Sequence, residues 1–311
     1  MPDWKPIIFS GRASYKLAKT VCELLGLKLG DLVIQEFADA EPYFKIENPQ
    51  DLESKDVFVI QTTSEPVARN YFDLIGILGA AREYHPQKIV AVLPFMGFRR
   101  QERAVEPGEA IMAKQMAKII QTAGATEVIL CDPHYSGIGD FFDIPVRILN
   151  TNPLFIDHLK WNIENIKECA VATPDSGRKG MAADFAERLG VSLIEGVKLR
   201  PDHDQSKAIG LEGDCLGRYV LIREDEINTA RTIKETVHLL KQKGAKKISI
   251  VCTHAVLSGG AIQVIKSAED LEKVWVSDTI YLPWEKRIDK IEVVSVAPLF
   301  AEEIKKICGL E

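Results

Sequence analysis

Apolar and polar positions follow one another along this chain in blocks of fixed order. From Asp56 a short apolar run, DVFVIQ, gives way to a polar turn, TTSEPVAR, then to a helical pattern from about Asn70 to Glu83, then to a second apolar run, KIVAVLPF. That order predicts a strand, a crossover helix and a parallel strand. The helix carries Tyr71, Phe72, Leu74, Ile75, Ile77 and Leu78 on more than one face; it is expected to lie against the sheet and also to offer a surface to a second subunit. A further helix places Met112, Met116, Ile119 and Ala123 on one stripe and Lys114, Lys118 and Gln121 off it, and Gly124 is expected to stop it before the strand EVILCD. The second half repeats the scheme: CAVATPD, the helix GMAADFAERLG, SLIEGVKL, a charged loop, RYVLI, a helix from about Thr232 to Lys243, and KKISIVCTH.

Strands alternating with helices at this spacing predict an α/β fold with mostly parallel sheets flanked by helices on both faces. Segments 57–94 and 219–252 share one plan of strand, polar loop, helix and strand, so two similar domains are expected. At 311 residues the chain exceeds what one core usually serves, and the turn residues ILNTNP suggest a boundary between 1–148 and 149–311.

Composition narrows the class. With 46% hydrophobic and 27% charged residues, and 21 Gly and 15 Pro spread along the chain, disorder, collagen and coiled coil are excluded. Thirty-nine basic against forty-five acidic residues leave a net charge of −6, which argues against nucleic acid as the main partner. The six cysteines, at 22, 131, 169, 215, 252 and 308, form no CxxC pair, so a reduced, cytoplasmic protein is expected. MPDWKPIIFSG has no apolar signal core and no run approaches the length of a membrane helix; the expectation is no signal, no anchor and no span.

In sheets of this kind ligands bind beyond the carboxyl ends of the strands, so the loops there are where chemistry is expected. In CDPHYSGIGDFFDIP, Asp132 and His134 stand two apart, with Asp143 farther on. The group suits a divalent cation that bridges phosphates; equally, His134 is a loop histidine bonded to a neighbour. Asp175 leads a glycine turn, with Arg178 and Lys179 at the next helix start: an anion site, or a plain helix cap. Arg99, Arg100, Gln101, Glu102 and Arg103 form a cationic cluster suited to a triphosphate, or a solvated charge run. Lys198 and Arg200 open a long polar loop, a lid or a surface connection. Glu224, Asp225 and Glu226 precede Thr229 and Thr232 at a helix start, acids for sugar hydroxyls and threonines for a phosphate, or an ordinary acidic first turn. No GxxxxGK[ST] loop is present and no GxGxxG follows a strand.

Taken together, these loops resemble the ribose-phosphate pyrophosphokinase family, along the whole chain. IIFSG, LLGLKLG, FADAE, VIQTTSEPVARNYFDLI, FRRQER, DPHYSGIGDFFDIPV, ATPDSG, CTHAVLSGGA and VSDTI match its motifs in order. The resemblance implies two type I phosphoribosyltransferase-like domains, an ATP-facing one at 1–148 and a ribose phosphate-binding one at 149–311 with a mobile loop, the last helix packing back on the first domain. It implies transfer of the diphosphoryl group of Mg-ATP to the 1-hydroxyl of ribose 5-phosphate, in a homo-oligomer, dimer or hexamer. Residue by residue, it implies that Phe37, Asp39 and Glu41 lie at the ATP of a neighbouring subunit and that Arg100, Gln101 and Arg103 run along the nucleotide. His134 and Asp175 would bind magnesium with Asp132 and Asp143 nearby. His134, Lys198 and Arg200 would serve catalysis, and Glu224, Asp225, Asn228, Thr229, Ala230, Arg231 and Thr232 the ribose 5-phosphate.

The chain also departs from that pattern. Asn228 replaces an aspartate, and Arg231 stands where a glycine lets the backbone wrap the 5′-phosphate, so it is expected either to block the pocket or to grip the phosphate. Arg147 replaces the aspartate after DIPV, and Arg223 occupies an apolar strand position. These departures leave a catalytically impaired regulatory homologue as the alternative. A phosphoribosyltransferase acting on a base fits less well, because it has no use for FADAE or FRRQER.

Overall fold

The computed structural model describes residues 5–174, 179–199 and 208–309. The chain divides into two compact units: Met1–Asn150 with Thr279–Tyr281 and Ser295–Glu311, and Thr151–Asp278 with Leu282–Val294. The division is thus discontinuous in sequence, because the chain returns to the first unit twice near its end.

In the first unit the elements run β1 (Ile7–Ser10), α1 (Tyr15–Leu25), β2 (Leu32–Glu36), β3 (Pro42–Ile46), β4 (Asp56–Ile60), α2 (Val67–Arg82), β5 (Lys88–Leu93), α3 (Met112–Thr122), β6 (Glu127–Cys131) and β7 (Val146–Leu149). Five strands form one sheet in the order β1-β4-β5-β6-β7, all parallel. β4 and β6 are buried at every position, as a parallel sheet covered on both faces requires, and this is why they read in sequence as unbroken apolar runs. Val57, Val59, Ala91, Val128 and Leu130 pack with Leu74, Ile77 and Leu78 of α2 and with Met116 and Ile120 of α3. Elsewhere in this unit α1 packs on the final helix, α8 (Ala297–Cys308), which buries Ala297, Phe300, Ala301 and Ile304. Gly26 ends α1 in the left-handed region at φ 64°, its N–H turned back to the carbonyls of Cys22 and Glu23. β2 and β3 form a separate antiparallel hairpin.

The second unit runs α4 (Asn152–Asn162), β8 (Cys169–Thr173), α5 (Lys179–Leu189), β9 (Ser192–Leu199), β10 (Ala208–Glu212), β11 (Tyr219–Ile227), α6 (Arg231–Gln242), β12 (Lys247–Ala255), α7 (Ala261–Ser267), β13 (Leu271–Ser277) and β14 (Ile291–Val294). Its seven strands are ordered β10-β9-β8-β11-β12-β13-β14, parallel except for the edge strand β10. The two-residue period of β11 sorts its side chains by face. Val220 and Ile222 join the layer of α6 and α7, whereas Leu221 joins Phe155 of α4 and Phe185 of α5.

Arg147, one of the expected departures, takes a bracing position in the first unit. It bonds Glu127 of β6 and, at 3.0 Å, Glu303 of α8, and these bonds hold its guanidinium pKa up. No described helix is long and apolar enough to cross a membrane. All six cysteines are free thiols, five of them buried. Burial pushes Cys22 and Cys169 up to about 11, and burial together with Asp56 pushes Cys308 up to about 12.

Two outcomes follow from this packing. Phe300→Ala, which empties a fully buried ring site, is expected to destabilise the protein by about 3–5 kcal/mol, measured as a lowered urea midpoint. Because the thiolate is the reactive form, Cys22 and Cys169 hold only about one thiolate per thousand at pH 8; iodoacetamide is expected to leave both unlabelled until denaturant is added, as peptide mass mapping would record.

Candidate active site

The carboxyl end of β11 carries three consecutive acids, Glu224, Asp225 and Glu226. Sequence patterning placed Glu224, Asp225 and Glu226 in a loop; instead the strand continues through them, Glu224 opposite Cys252 and Glu226 opposite His254 of β12. All three are buried. Alternation sends Glu224 and Glu226 to the α6 side and Asp225 to the α4/α5 side. Three carboxylates in a row with so little access to water require cationic or hydrogen-bonding company, and their hard oxygen donors suit a magnesium ion and sugar hydroxyls.

Beyond Ile227 the chain turns into α6, and that turn is braced from the segment just after β12. The Leu257 N–H donates to the Ile227 carbonyl at 2.8 Å, the Ser258 N–H to the Asn228 carbonyl at 3.0 Å, and the Ser258 hydroxyl bonds the Asn228 side chain. Asn228, which replaces an acid, thus serves as part of this brace. Thr229 is exposed, and Ala230 adopts the left-handed conformation, φ 60° and ψ 8°, directly before the helix. No side-chain hydrogen bond caps α6, and an N-terminus of this kind suits an anion. Arg231 and Thr232 are exposed in the first turn.

The left-handed residue is Ala230, one position earlier, whereas Arg231 has an ordinary helical backbone and points its side chain to solvent. The backbone at 231 therefore needs no left-handed residue.

Lys198 lies in β9, its backbone opposite Ile209; its side chain, Arg200 and Asp175 lie outside the described residues. Next to the β8 end, Gly196 is obligatory: a Cβ there would stand 2.2 Å from the Pro174 carbonyl oxygen. The two strands therefore approach closely just where the ATPDSG segment leaves the sheet.

In the first unit, Asp132 begins the turn after β6 with φ 37° and is buried, and His134 is half-buried two residues on. Asp143 is not brought to them. It precedes the amino end of β7, where it bonds Gln121 of α3, whereas Asp132 donates its N–H to Leu149 at the carboxyl end of the same strand. A strand of this length separates the two by about 13 Å. After β5, Arg100, Gln101 and Arg103 are exposed, while Arg99 is buried with its guanidinium 4.2 Å from the Phe95 ring centroid.

Phe37, Asp39 and Glu41 occupy the tip of the β2–β3 hairpin. The Phe37 N–H donates to Glu41 and the Glu41 N–H to the Asp39 carboxylate at 3.2 Å; the Phe37 ring is 57% exposed and edge-on to Tyr43. Sequence patterning missed what holds this tip. Arg12 grips the fully buried Asp73 carboxylate of α2 with two N–H groups at 2.9 and 2.6 Å and reaches Glu36 at 3.1 Å; Arg69 of α2 bonds the same Glu36. Glu36 directly precedes Phe37, so the hairpin is tied to α2 at its root. Only Glu36 adjoins FADAE in sequence; Arg12, Arg69 and Asp73 lie about 25 to 35 residues from it, and nothing in their spacing says that the four converge.

Comparisons with known proteins agree along the chain. Residues 6–124 match the model of the N-terminal domain of ribose phosphate pyrophosphokinase, and residues 203–311 that of the phosphoribosyl synthetase-associated domain. The ribose-phosphate pyrophosphokinases of Fusobacterium nucleatum and Bacillus caldolyticus are each 36% identical over 96% of this chain and 94% of their own length, and that of Helicobacter pylori is 37% identical over 96% and 92%. The crystal structure of the phosphoribosylpyrophosphate synthetase from Mycobacterium smegmatis superposes with a TM-score of 0.91 at 29% identity, covering 99% of this chain and 100% of that one. Its likeness shows the expected architecture of two phosphoribosyltransferase-like α/β domains. With family models over both halves and such relatives over nearly its whole length, the chain belongs to the ribose-phosphate pyrophosphokinase family.

Proposed function

We propose that this protein transfers the diphosphoryl group of Mg-ATP to the 1-hydroxyl of ribose 5-phosphate, giving phosphoribosyl pyrophosphate and AMP. The observation that carries the reading is the run of buried carboxylates at the end of β11 leading straight into the uncapped N-terminus of α6. Acids suit the hydroxyls of a sugar, and a helix N-terminus suits its phosphate, four residues away. The family's members carry the same name along nearly the whole length of the chain.

In this reading Glu224 and Asp225 hold the ribose hydroxyls, and the N–H groups of Thr229 to Thr232 with the Arg231 guanidinium hold the 5′-phosphate. The sugar oxygen then attacks the β-phosphorus: the bond from O1 to that phosphorus forms, the bond to the α,β-bridging oxygen breaks, AMP leaves, and the 1-hydroxyl proton passes to a base. His134, a half-buried imidazole after β6, serves catalysis through the magnesium it would hold. Lys198 and Arg200 stabilise charge on the transferring and leaving oxygens. Bound magnesium would neutralise phosphate charge, with Asp132, His134 and Asp175 as the candidate oxygen and imidazole donors. Asp143 is dropped from this set because it sits at the other end of β7. Arg100, Gln101 and Arg103 line the nucleotide, and the exposed hairpin tip of Phe37, Asp39 and Glu41 reaches the nucleotide of a second copy in a homo-oligomer. ATP and ribose 5-phosphate in the cytoplasm are the corresponding substrates and setting.

The direct assay is AMP release from ATP, expected only when Mg²⁺ and ribose 5-phosphate are both present and abolished by EDTA. AMP release independent of the sugar phosphate would overturn the reading. Lys198→Ala is expected to lower kcat by about 100-fold or more while ATP binding, followed by calorimetry, changes little. Arg231→Ala is expected to raise the KM for ribose 5-phosphate about fivefold at unchanged KM for ATP; a fall in that KM would show that the side chain obstructs the pocket.

A further inference from the structure

Arg223 is the largest fully buried side chain among the described residues, 1% exposed, at an apolar position of β11. It precedes the acidic run directly and shares the α4/α5 face of the sheet with Asp225. A guanidinium has five N–H donors in one plane, and each meets an acceptor. The Nε donates to Asn152 Oδ1 at 2.8 Å; one terminal nitrogen donates to the carbonyls of Glu224 and Val251; the other donates to Thr151 Oγ1 at 2.9 Å and Thr253 Oγ1 at 3.0 Å. The rings of Phe155 and Phe185 lie 5.3 and 5.7 Å from its centre.

The acceptors come from three separate places: the first residues at α4, the carboxyl end of β11, and β12. Asn152 extends the network, donating to the Met181 carbonyl and to Asp184 of α5, which Arg188 also holds. The Thr151 and Thr253 hydroxyls bond each other at 2.9 Å. With all five donors engaged inside the protein, the guanidinium cannot itself grip a substrate phosphate. What it does fix is the peptide between Glu224 and Asp225, by taking that carbonyl as an acceptor, and hence the direction in which the two neighbouring carboxylates leave the backbone.

We propose that Arg223 is a positioning residue for the acidic run: it clamps the end of β11 to the starts of α4 and α5 and to β12, so that Glu224 and Asp225 present their carboxylates to the sugar. This rests on the assignment of that run to ribose 5-phosphate. The planar fork is essential, because a lysine offers one charge centre and three donors that do not match acceptors spread across three elements.

The test compares wild type, Arg223→Met and Arg223→Lys in the full chain, with KM measured separately for each substrate. Arg223→Met is expected to raise the KM for ribose 5-phosphate about tenfold with the KM for ATP within about twofold, and Arg223→Lys to recover little of the loss. Unchanged constants, or an equal rise in both, would overturn the proposal, since a merely structural residue weakens both substrates alike. If Arg223→Met does not fold, Thr253→Val removes one acceptor and is expected to raise the ribose 5-phosphate KM about threefold; no change would sink the clamp. Should wild type release no AMP with ribose 5-phosphate, the substrate assignment fails on its own, and hydrogen exchange then decides the clamp. Faster exchange of amides 224–228 in Arg223→Met with α6 unaltered supports it; equal protection refutes it.

Discussion

Burying three consecutive carboxylates at the end of one strand is the constraint around which the second unit is built. Each ionised group removed from water costs roughly several kcal/mol unless something replaces the hydration, and neighbouring like charges add to that cost. The strand cannot bend away to relieve it, because Glu224 and Glu226 remain in register with Cys252 and His254 of β12. Company for the charges must therefore come from side chains, backbone dipoles and ligand. The N-terminus of α6 supplies dipoles four residues downstream, and Arg223 supplies a fixed internal cation at the base of the run. The alternation of β11 puts Asp225 on the same side of the strand as Arg223, yet the carboxylate oxygens of Asp225 and Glu226 still come within 4.8 Å of each other, so the charge stays concentrated at the strand's end.

In the first unit charge is handled by pairing rather than by accumulation. Asp73, fully buried, is met by a two-pronged arginine; Glu127 is met by Arg147; Glu36 is shared by Arg12 and Arg69. These pairs do mechanical work at two points. One ties the root of the β2–β3 hairpin to α2, the other ties the edge strand β7 to α8. The hairpin itself keeps Phe37 and Tyr43 in solvent, an arrangement that costs apolar exposure and that suits a surface meant to be covered by ligand or by another chain.

How much of this was legible in the sequence depended on how local the cause was. Buried parallel strands such as β4, β5 and β6 are apolar at almost every position, so they stood out; α2, α3, α5 and α6 were found within about three residues because their stripes are set by near neighbours. The β2–β3 hairpin was not foreseen as strands, since its alternation is half-exposed and interrupted by polar residues. Asp143 was grouped with His134 because sequence distance does not tell which end of a parallel strand a residue occupies. The glycine-to-arginine change at 231 looked damaging for a similar reason. Only the backbone angles reveal that the left-handed residue is Ala230. Arg223 was visible as an anomaly, yet its acceptors lie some 30 and 70 residues away, and no local pattern relates them.

Stability alone does not account for an arginine at position 223. Replacing buried charged groups by well-packed apolar ones is often neutral or stabilising, and the surrounding Leu221, Val251, Phe155 and Phe185 would receive a methionine or leucine readily. An apolar side chain there would fill the space and leave the peptide after Glu224 without its lateral tether. The Thr151 and Thr253 hydroxyls would still have each other, so removing the guanidinium does not strand them. The energetic case for the arginine is therefore weak and the geometric case strong: its fork reaches α4, β11 and β12 at once. A buried cation kept at a site where burial is unfavourable is best explained by what it holds in place, here the two carboxylates that follow it in the chain.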